Sequence, residues 1–220
     1  QLNAQQRRQG IIDELLDIKD DGSFRMDMSY FGFCHSDVMT SPKMDSLFGG
    51  PPRRAETEIT QREMDIAASI QAVTEEIVLK IARHAHAKTG SSNLVLAGGV
   101  ALNCVANGRV LREGPFENLW IQPAAGDAGG ALGAALFTWH QLLGKPRHPE
   151  PGDSQHGSLL GPSFGEDEIR RYLDVAGAVY ETYDDEEKLI GRIADLIADE
   201  KVVGHFADRA EFGPRALGSR

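Results

Sequence analysis

Apolar residues recur at helical spacing in some stretches of this chain and run together in others. Ile66, Ile70, Val73, Ile77 and Ile81 step by four, three, four and four residues, which lines one face of a helix. Just ahead, Thr60 and Glu63 have the spacing of a capping box, in which each side chain satisfies a free N–H of the first turn. Together they predict a long helix over 61–88. Ile12, Leu15, Leu16 and Ile18 predict a shorter amphipathic helix over 11–20, stopped by the turn signal Asp20-Asp21-Gly22. From 23 to 50, Phe24, Tyr30, Phe31 and Phe33 mix with turn residues and show little period. Gly49-Gly50-Pro51-Pro52-Arg53-Arg54 reads as a rigid, exposed turn.

The next apolar stretches are runs rather than stripes. Asn93-Leu94-Val95-Leu96-Ala97 suits a buried strand, breaks at Gly98-Gly99, and resumes as a helix start at Val100-Ala101-Leu102-Asn103. Leu119-Trp120-Ile121-Gln122 reads as a second strand ending at Pro123. After Gly126-Asp127-Ala128-Gly129-Gly130, the segment 131–143 is small and apolar all round and predicts a buried helix. Helix, strand, glycine turn, helix, strand, glycine turn, helix is an α/β pattern. The ten residues 144–153 hold three prolines and two glycines, the strongest linker signal in the chain. Beyond it, 166–176 and 184–200 predict helices and 201–206 a strand. The chain then ends just after the turn Glu211-Phe212-Gly213-Pro214-Arg215-Ala216-Leu217-Gly218, which suggests a fragment of something longer.

Composition narrows the class. With 220 residues the chain suits one large or two modest domains, and 41% hydrophobic with 25% charged residues is ordinary for globular proteins. A net charge of −10 disfavours broad electrostatic binding to nucleic acid. No apolar run reaches the roughly 18 residues of a membrane span, and the first residues lack the apolar core of a signal peptide. Cys34 and Cys104 are the two cysteines, which implies no disulfide framework; a cytoplasmic chain binding neither membrane nor nucleic acid is expected. Cysteines without a histidine partner in sequence more often fill space than react.

The glycines are both numerous and clustered, and clustered glycine lets backbone approach a ligand closely. Two strand-to-glycine-turn junctions about 30 residues apart can face each other across a nucleotide, each with a helix N-terminus favouring phosphate. In the first, Gly98 and Gly99 admit the nucleotide and Asn103 offers an amide that donates and accepts. In the second, Asp127 is the one ionisable side chain between Trp120 and His140, suitably placed for a divalent metal. The alternative is that both are tight turns requiring positive φ, with Asp127 capping the following helix.

These same stretches, with Glu211-Phe212-Gly213-Pro214-Arg215-Ala216-Leu217-Gly218, resemble the O-carbamoyltransferase family (NodU/CmcH-like). The resemblance continues in Met39-Thr40-Ser41, Leu47-Phe48-Gly49-Gly50-Pro51-Pro52-Arg53 and Asp65-Ile66-Ala67-Ala68-Ser69-Ile70-Gln71, and so covers essentially the whole chain. It implies an α/β chain made of the second lobe of an actin-like ATPase/sugar-kinase fold followed by the start of a YrdC-like domain. The implied boundaries are 1–147 for the first part, 148–157 for the linker and 158–220 for the second. The implied reaction moves a carbamoyl group from carbamoyl phosphate, through an ATP-derived carbamoyl-adenylate, to a hydroxyl of a small natural product or sugar. ATP and an iron-type divalent metal, with Mg accompanying ATP, are the implied cofactors; a homodimer is a candidate assembly.

By the same resemblance Asp127 matches a metal ligand, and Gly98, Gly99, Asn103, Gly126, Gly129 and Gly130 match nucleotide-cradling positions. Arg215 and Arg209 match the arginine motif that meets carbamoyl phosphate, where a planar fork suits two phosphate oxygens. The bland reading of Arg215 is an ion pair with Glu211, four residues earlier. Asp208 stands where the family has glycine. The family's metal site also uses two histidines four apart, and His35, His84, His86, His140, His148, His156 and His205 contain no such pair. That pair is expected before Gln1, and most of the YrdC-like part after Arg220. His84 and His86 are expected on a solvated helix face. Competing readings are a kinase or threonylcarbamoyl transferase of the same ATPase fold, and a nucleotide-binding module without turnover.

Overall fold

The structure, a computed structural model, describes residues 2–149 and 151–220. It is a mixed helix-and-sheet protein, as the alternation of runs and stripes predicts. Helix α1 (Ala4–Gly10) runs on through a π-helical turn, Ile11–Leu15, into a hairpin of β1 (Leu16–Ile18) and β2 (Phe24–Met26). Then follow α2 (Pro42–Phe48), α3 (Gln61–Thr89), β3 (Asn93–Leu96), α4 (Cys104–Glu113), β4 (Asn118–Ile121) and α5 (Asp127–Phe137). Helices α6 (Glu166–Ala176) and α7 (Glu186–Ala198) complete the order. Among the described residues there are two sheets of two strands, β1-β2 and β3-β4. No described helix is long and apolar enough to cross a membrane.

The chain divides into two compact units. The first takes the chain up to Leu96 together with Asn103–Trp120, and the second takes Ala97–Leu102 with Ile121–Arg220. In the first, α3 starts where the capping box puts it, with the Glu63 carboxylate accepting from the Thr60 N–H at 3.0 Å. Its buried positions face two ways. Val73 and Ile77 join Ile11, Leu15 and Tyr30 in one cluster, while Leu79 and Ala82 join Val110 and Phe116 in another. Two residues, about 200° of helical turn, separate Ile77 from Leu79, so α3 is gripped on opposite sides. That double grip leaves Ile70 and Ile81 of the predicted stripe exposed. Each fully buried aliphatic side chain contributes about 1.5–3 kcal/mol.

Four expectations are corrected. The segment 11–20 is helical only to Leu15, because Leu16, Asp17 and Ile18 pair with Met26, Arg25 and Phe24 across the Asp20-Asp21-Gly22 turn. Strand β3 is not a buried run: Leu94 and Leu96 are half-buried while Val95 is exposed, as a sheet of two strands leaves one face open. Helix α5 starts four residues earlier than expected and continues through a π-helical turn at Thr138–Leu142, but it has no buried residue among those described. Residues 201–206 form no strand, since among the described residues they find no neighbouring backbone to pair with, and Val202 is fully exposed.

In the second unit, backbone hydrogen bonds do much of the holding. Phe212 N–H donates to Ser158 O at 2.7 Å, Gly161 N–H to Ala210 O at 2.8 Å, and Ala210 N–H to Pro162 O at 2.9 Å. The preceding turn is fixed by Asp153, which accepts from the N–H groups of Gln155 and Gly157 at 2.9 and 2.6 Å. Those bonds, Gly157 first, hold its carboxyl below the usual range.

Candidate functional site

Beyond β3 the chain turns through Gly98, whose φ of +100° lies in the left-handed region where a side chain would be strained. The Gly98 N–H donates to Ala125 O at 2.7 Å, so the first glycine turn is tied to the second within one unit. A short 3-10 turn, Gly99–Leu102, follows. In the second turn Ala124 and Ala125 are buried, and Gly126 is the N-cap of α5.

The glycines assigned to the cradle fall into two kinds. A Cβ at Gly98, Gly99 or Gly130 would meet nothing within 4 Å, so these face open space. A Cβ at Gly129 would lie 2.1 Å from Ala124 O, so Gly129 is required by the packing of α5 on its own turn. Gly126 is intermediate, with Leu102 Cδ1 at 3.9 Å from such a Cβ. Asp127 is exposed in the first turn of α5, one residue past the N-cap Gly126, where the N-terminal dipole favours a carboxylate, and among the described residues it makes no capping hydrogen bond. The cap reading therefore gives way. Among the described residues no group of three His, Cys, Asp or Glu side chains could hold a metal ion. Asp127 offers a single donor, which does not by itself fit a metal.

Asn103, in the first unit, is occupied. It caps α4 by accepting from Ala106 N–H at 3.1 Å, and its amide donates to Gln71 Oε1 at 2.8 Å. Gln71 in turn donates to Glu75 at 2.6 Å, Arg109 donates to Glu75 at 2.8 Å, and Arg109 also pairs with Glu113 at 2.7 Å. The Arg109 bond and then that from Gln71 hold Glu75 below the usual carboxylate range, and Glu113 with Glu75 pushes Arg109 up. A nucleotide contact through the Asn103 oxygen would compete with Ala106 and Gln71, whereas the amide has a second N–H beyond the one given to Gln71.

The arginine motif is differently built from its sequence reading. Arg215 is exposed, and among the described residues no ion pair engages its side chain. Glu211 does not pair with it. Instead Glu211 is buried, accepts the N–H groups of Leu217 and Ser219 at 2.9 and 3.1 Å, and faces Arg220 Nε at 3.3 Å. Arg209 spends its Nε–H on Gly161 O at 2.9 Å, which makes it a tie between segments. Asp208 takes φ +58°, the conformation that a glycine would adopt without strain. Gly213, at φ +131°, would place a Cβ 3.2 Å from Pro123 O and 3.4 Å from Ala124. The arginine loop thus lies against the second glycine turn, in the same unit.

Sequence reasoning missed Glu211 as an anchor and Gly213 as a contact; the only signal was their place inside the motif. It missed too a largely apolar groove of about 610 Å³ in the first unit, lined in part by Val38, Met39, Met44, Phe48 and Ile66. His86 is not on a solvated face, since its ring meets Phe116 edge-on at 5.4 Å. Both cysteines are exposed and fill no core space.

Comparison with known proteins gives the family. The model for the carbamoyltransferase N-terminus matches residues 3–136. An uncharacterized protein of Synechocystis is 56% identical over 212 residues, covering 96% of this chain and 34% of that protein. The nodulation protein NolNO of Sinorhizobium fredii is 40% identical over 168 residues, 76% of this chain and 24% of its own length. Nodulation protein U of Azorhizobium caulinodans is 31% identical over 161 residues, 72% and 26% of the two chains. The chain therefore spans about a third or less of the length of these relatives. With well over half of its residues matched, the chain belongs to the carbamoyltransferase family.

Proposed function

We propose that the protein carrying this chain is an ATP-dependent O-carbamoyltransferase acting on a small-molecule hydroxyl. Carbamoyl phosphate gives up inorganic phosphate to water, and the resulting carbamate oxygen attacks the α-phosphorus of ATP, releasing pyrophosphate. The acceptor oxygen then attacks the carbamoyl carbon, AMP leaves, and the hydroxyl proton passes to a base. In this reading Gly98, Gly99 and Gly130 give the adenylate its backbone approach, and Arg215 meets the phosphate-bearing donor. Arg209 holds the loop through its Nε–H on Gly161 O, and its terminal nitrogens would face the same donor. The division at 148–157 between an actin-like lobe and a YrdC-like domain belongs to the same proposal, as do the cytoplasmic location and the acceptor class.

One observation carries most of the weight. Gly213 of the arginine loop rests on Pro123 and Ala124 of the second glycine turn, beside Arg215, which is unpaired among the described residues, in a chain of this family. A phosphate dianion is what a free guanidinium and open glycine backbone recognise together. The test is pyrophosphate release from ATP by the full-length protein, with and without carbamoyl phosphate and before any acceptor is added. Release is expected to require carbamoyl phosphate and to fall at least a hundredfold in Arg215→Ala, as loss of a charged ligand to a reacting group does. Nucleotide binding without such release would favour a kinase or a non-catalytic module instead.

A further inference from the structure

Residues 211–220 contain no helix or strand, so their backbone must find other partners to hold one shape. Glu211 supplies them. Its side chain is 2% exposed, and its Oε1 takes the N–H groups of both Leu217 and Ser219. Its Oε2 faces Arg220 Nε at 3.3 Å, and Arg220 donates onward to Gly213 O at 2.6 Å. One carboxylate thus closes the segment on itself, with Arg215 on the stretch between the tied ends. An apolar side chain would fill the same space at less desolvation cost but could hold neither amide. Arg215 has no side-chain partner among the described residues, so the loop backbone sets where its guanidinium can reach.

We propose that Glu211 is a positioning residue, clamping the loop so that Arg215 is presented to the phosphate group of the carbamoyl donor; this rests on the function proposed above. In the full-length protein, Glu211→Ala is expected to raise the KM for carbamoyl phosphate at least tenfold with the KM for ATP within twofold of wild type. Adding it to Arg215→Ala should cost less than a further twofold in kcat/KM, because both changes remove one interaction. Glu211→Gln keeps the shape and one acceptor, and should give a rise of about threefold; it carries the test if the alanine variant fails to fold. An unchanged KM for carbamoyl phosphate, or a double variant whose losses multiply, would overturn the assignment. Deuterium uptake by the 211–220 peptide reads the clamp without any turnover and should quicken in Glu211→Ala. If wild-type protein proves not to use carbamoyl phosphate, the functional reading fails on its own. Inorganic phosphate is then the probe: slower uptake on adding it to wild type but not to Glu211→Ala upholds the positioning role, and no effect in wild type overturns it.

Discussion

Along α3 the buried positions include Val73, Ile77, Leu79 and Ala82, whereas among the described residues between 121 and 220 they are Ala124, Ala125, Ser158 and Glu211. The first unit is held by apolar side chains from several elements meeting in two clusters. In the second, the buried residues among those described are small or polar, and order comes from backbone bonds, glycine contacts and single carboxylates. On the function proposed above, the difference has a chemical reason. Apolar packing makes a rigid scaffold but fills space, while turns meant to admit a charged ligand must leave backbone N–H groups and volume free.

The largest effect should come from the packed side. Ile11 is 0% exposed at the centre of the first cluster, so Ile11→Ala should cost about 2–5 kcal/mol of stability in urea unfolding followed by circular dichroism. A loss below about 1 kcal/mol would break the contrast between the units, because it would leave the apolar cluster without its stabilising role.

Next comes a pair of neighbouring glycines in α5 that should behave oppositely. Gly129→Ala drives a methyl to 2.1 Å from Ala124 O and should destabilise by about 1–3 kcal/mol. Gly130→Ala enters open space in a helix and should stabilise by up to about 1 kcal/mol, while weakening ATP binding measured by calorimetry. Equal melting shifts for the two variants would dissolve the distinction between glycine for packing and glycine for ligand.

The same division decides what could be read from the sequence. Helix α3 was legible because its cap and its apolar period agree, and α6 because Glu166–Ala176 is amphipathic between two glycines. The glycine turns were legible as turns, yet Gly129 and Gly130 look alike in sequence; only the place of Ala124 O separates them. Segment 201–206 has strand-forming residues, but pairing depends on a neighbour that local sequence does not name. Leu16, Asp17 and Ile18 fit a helical stripe as well as a strand, and the partner across the turn decided between them. Glu211 lay within helical pairing distance of Arg215, and that spacing misled because the segment is not helical.

The smallest effect sharpens the comparison from within the packed unit, where α3 and α4 are also joined by the polar chain Asn103, Gln71, Glu75, Arg109 and Glu113. Arg109 holds Glu75 below the usual carboxylate range, so in the folded protein Glu75 stays ionised to lower pH than in the unfolded chain. Its contribution is therefore fully present above the unfolded value and fades as pH falls through the lowered folded one. Glu75→Gln should cost about 1 kcal/mol at pH 7, since Arg109 keeps Glu113 and part of the network is solvent-screened. Urea midpoints of wild type and variant should converge on acidification below the ordinary carboxylate range. A gap that persists there would mean that Glu75 acts by shape rather than by charge. Convergence would place the polar chain as an accessory to apolar packing in the first unit, in contrast to the second, where such bonds stand in for a core.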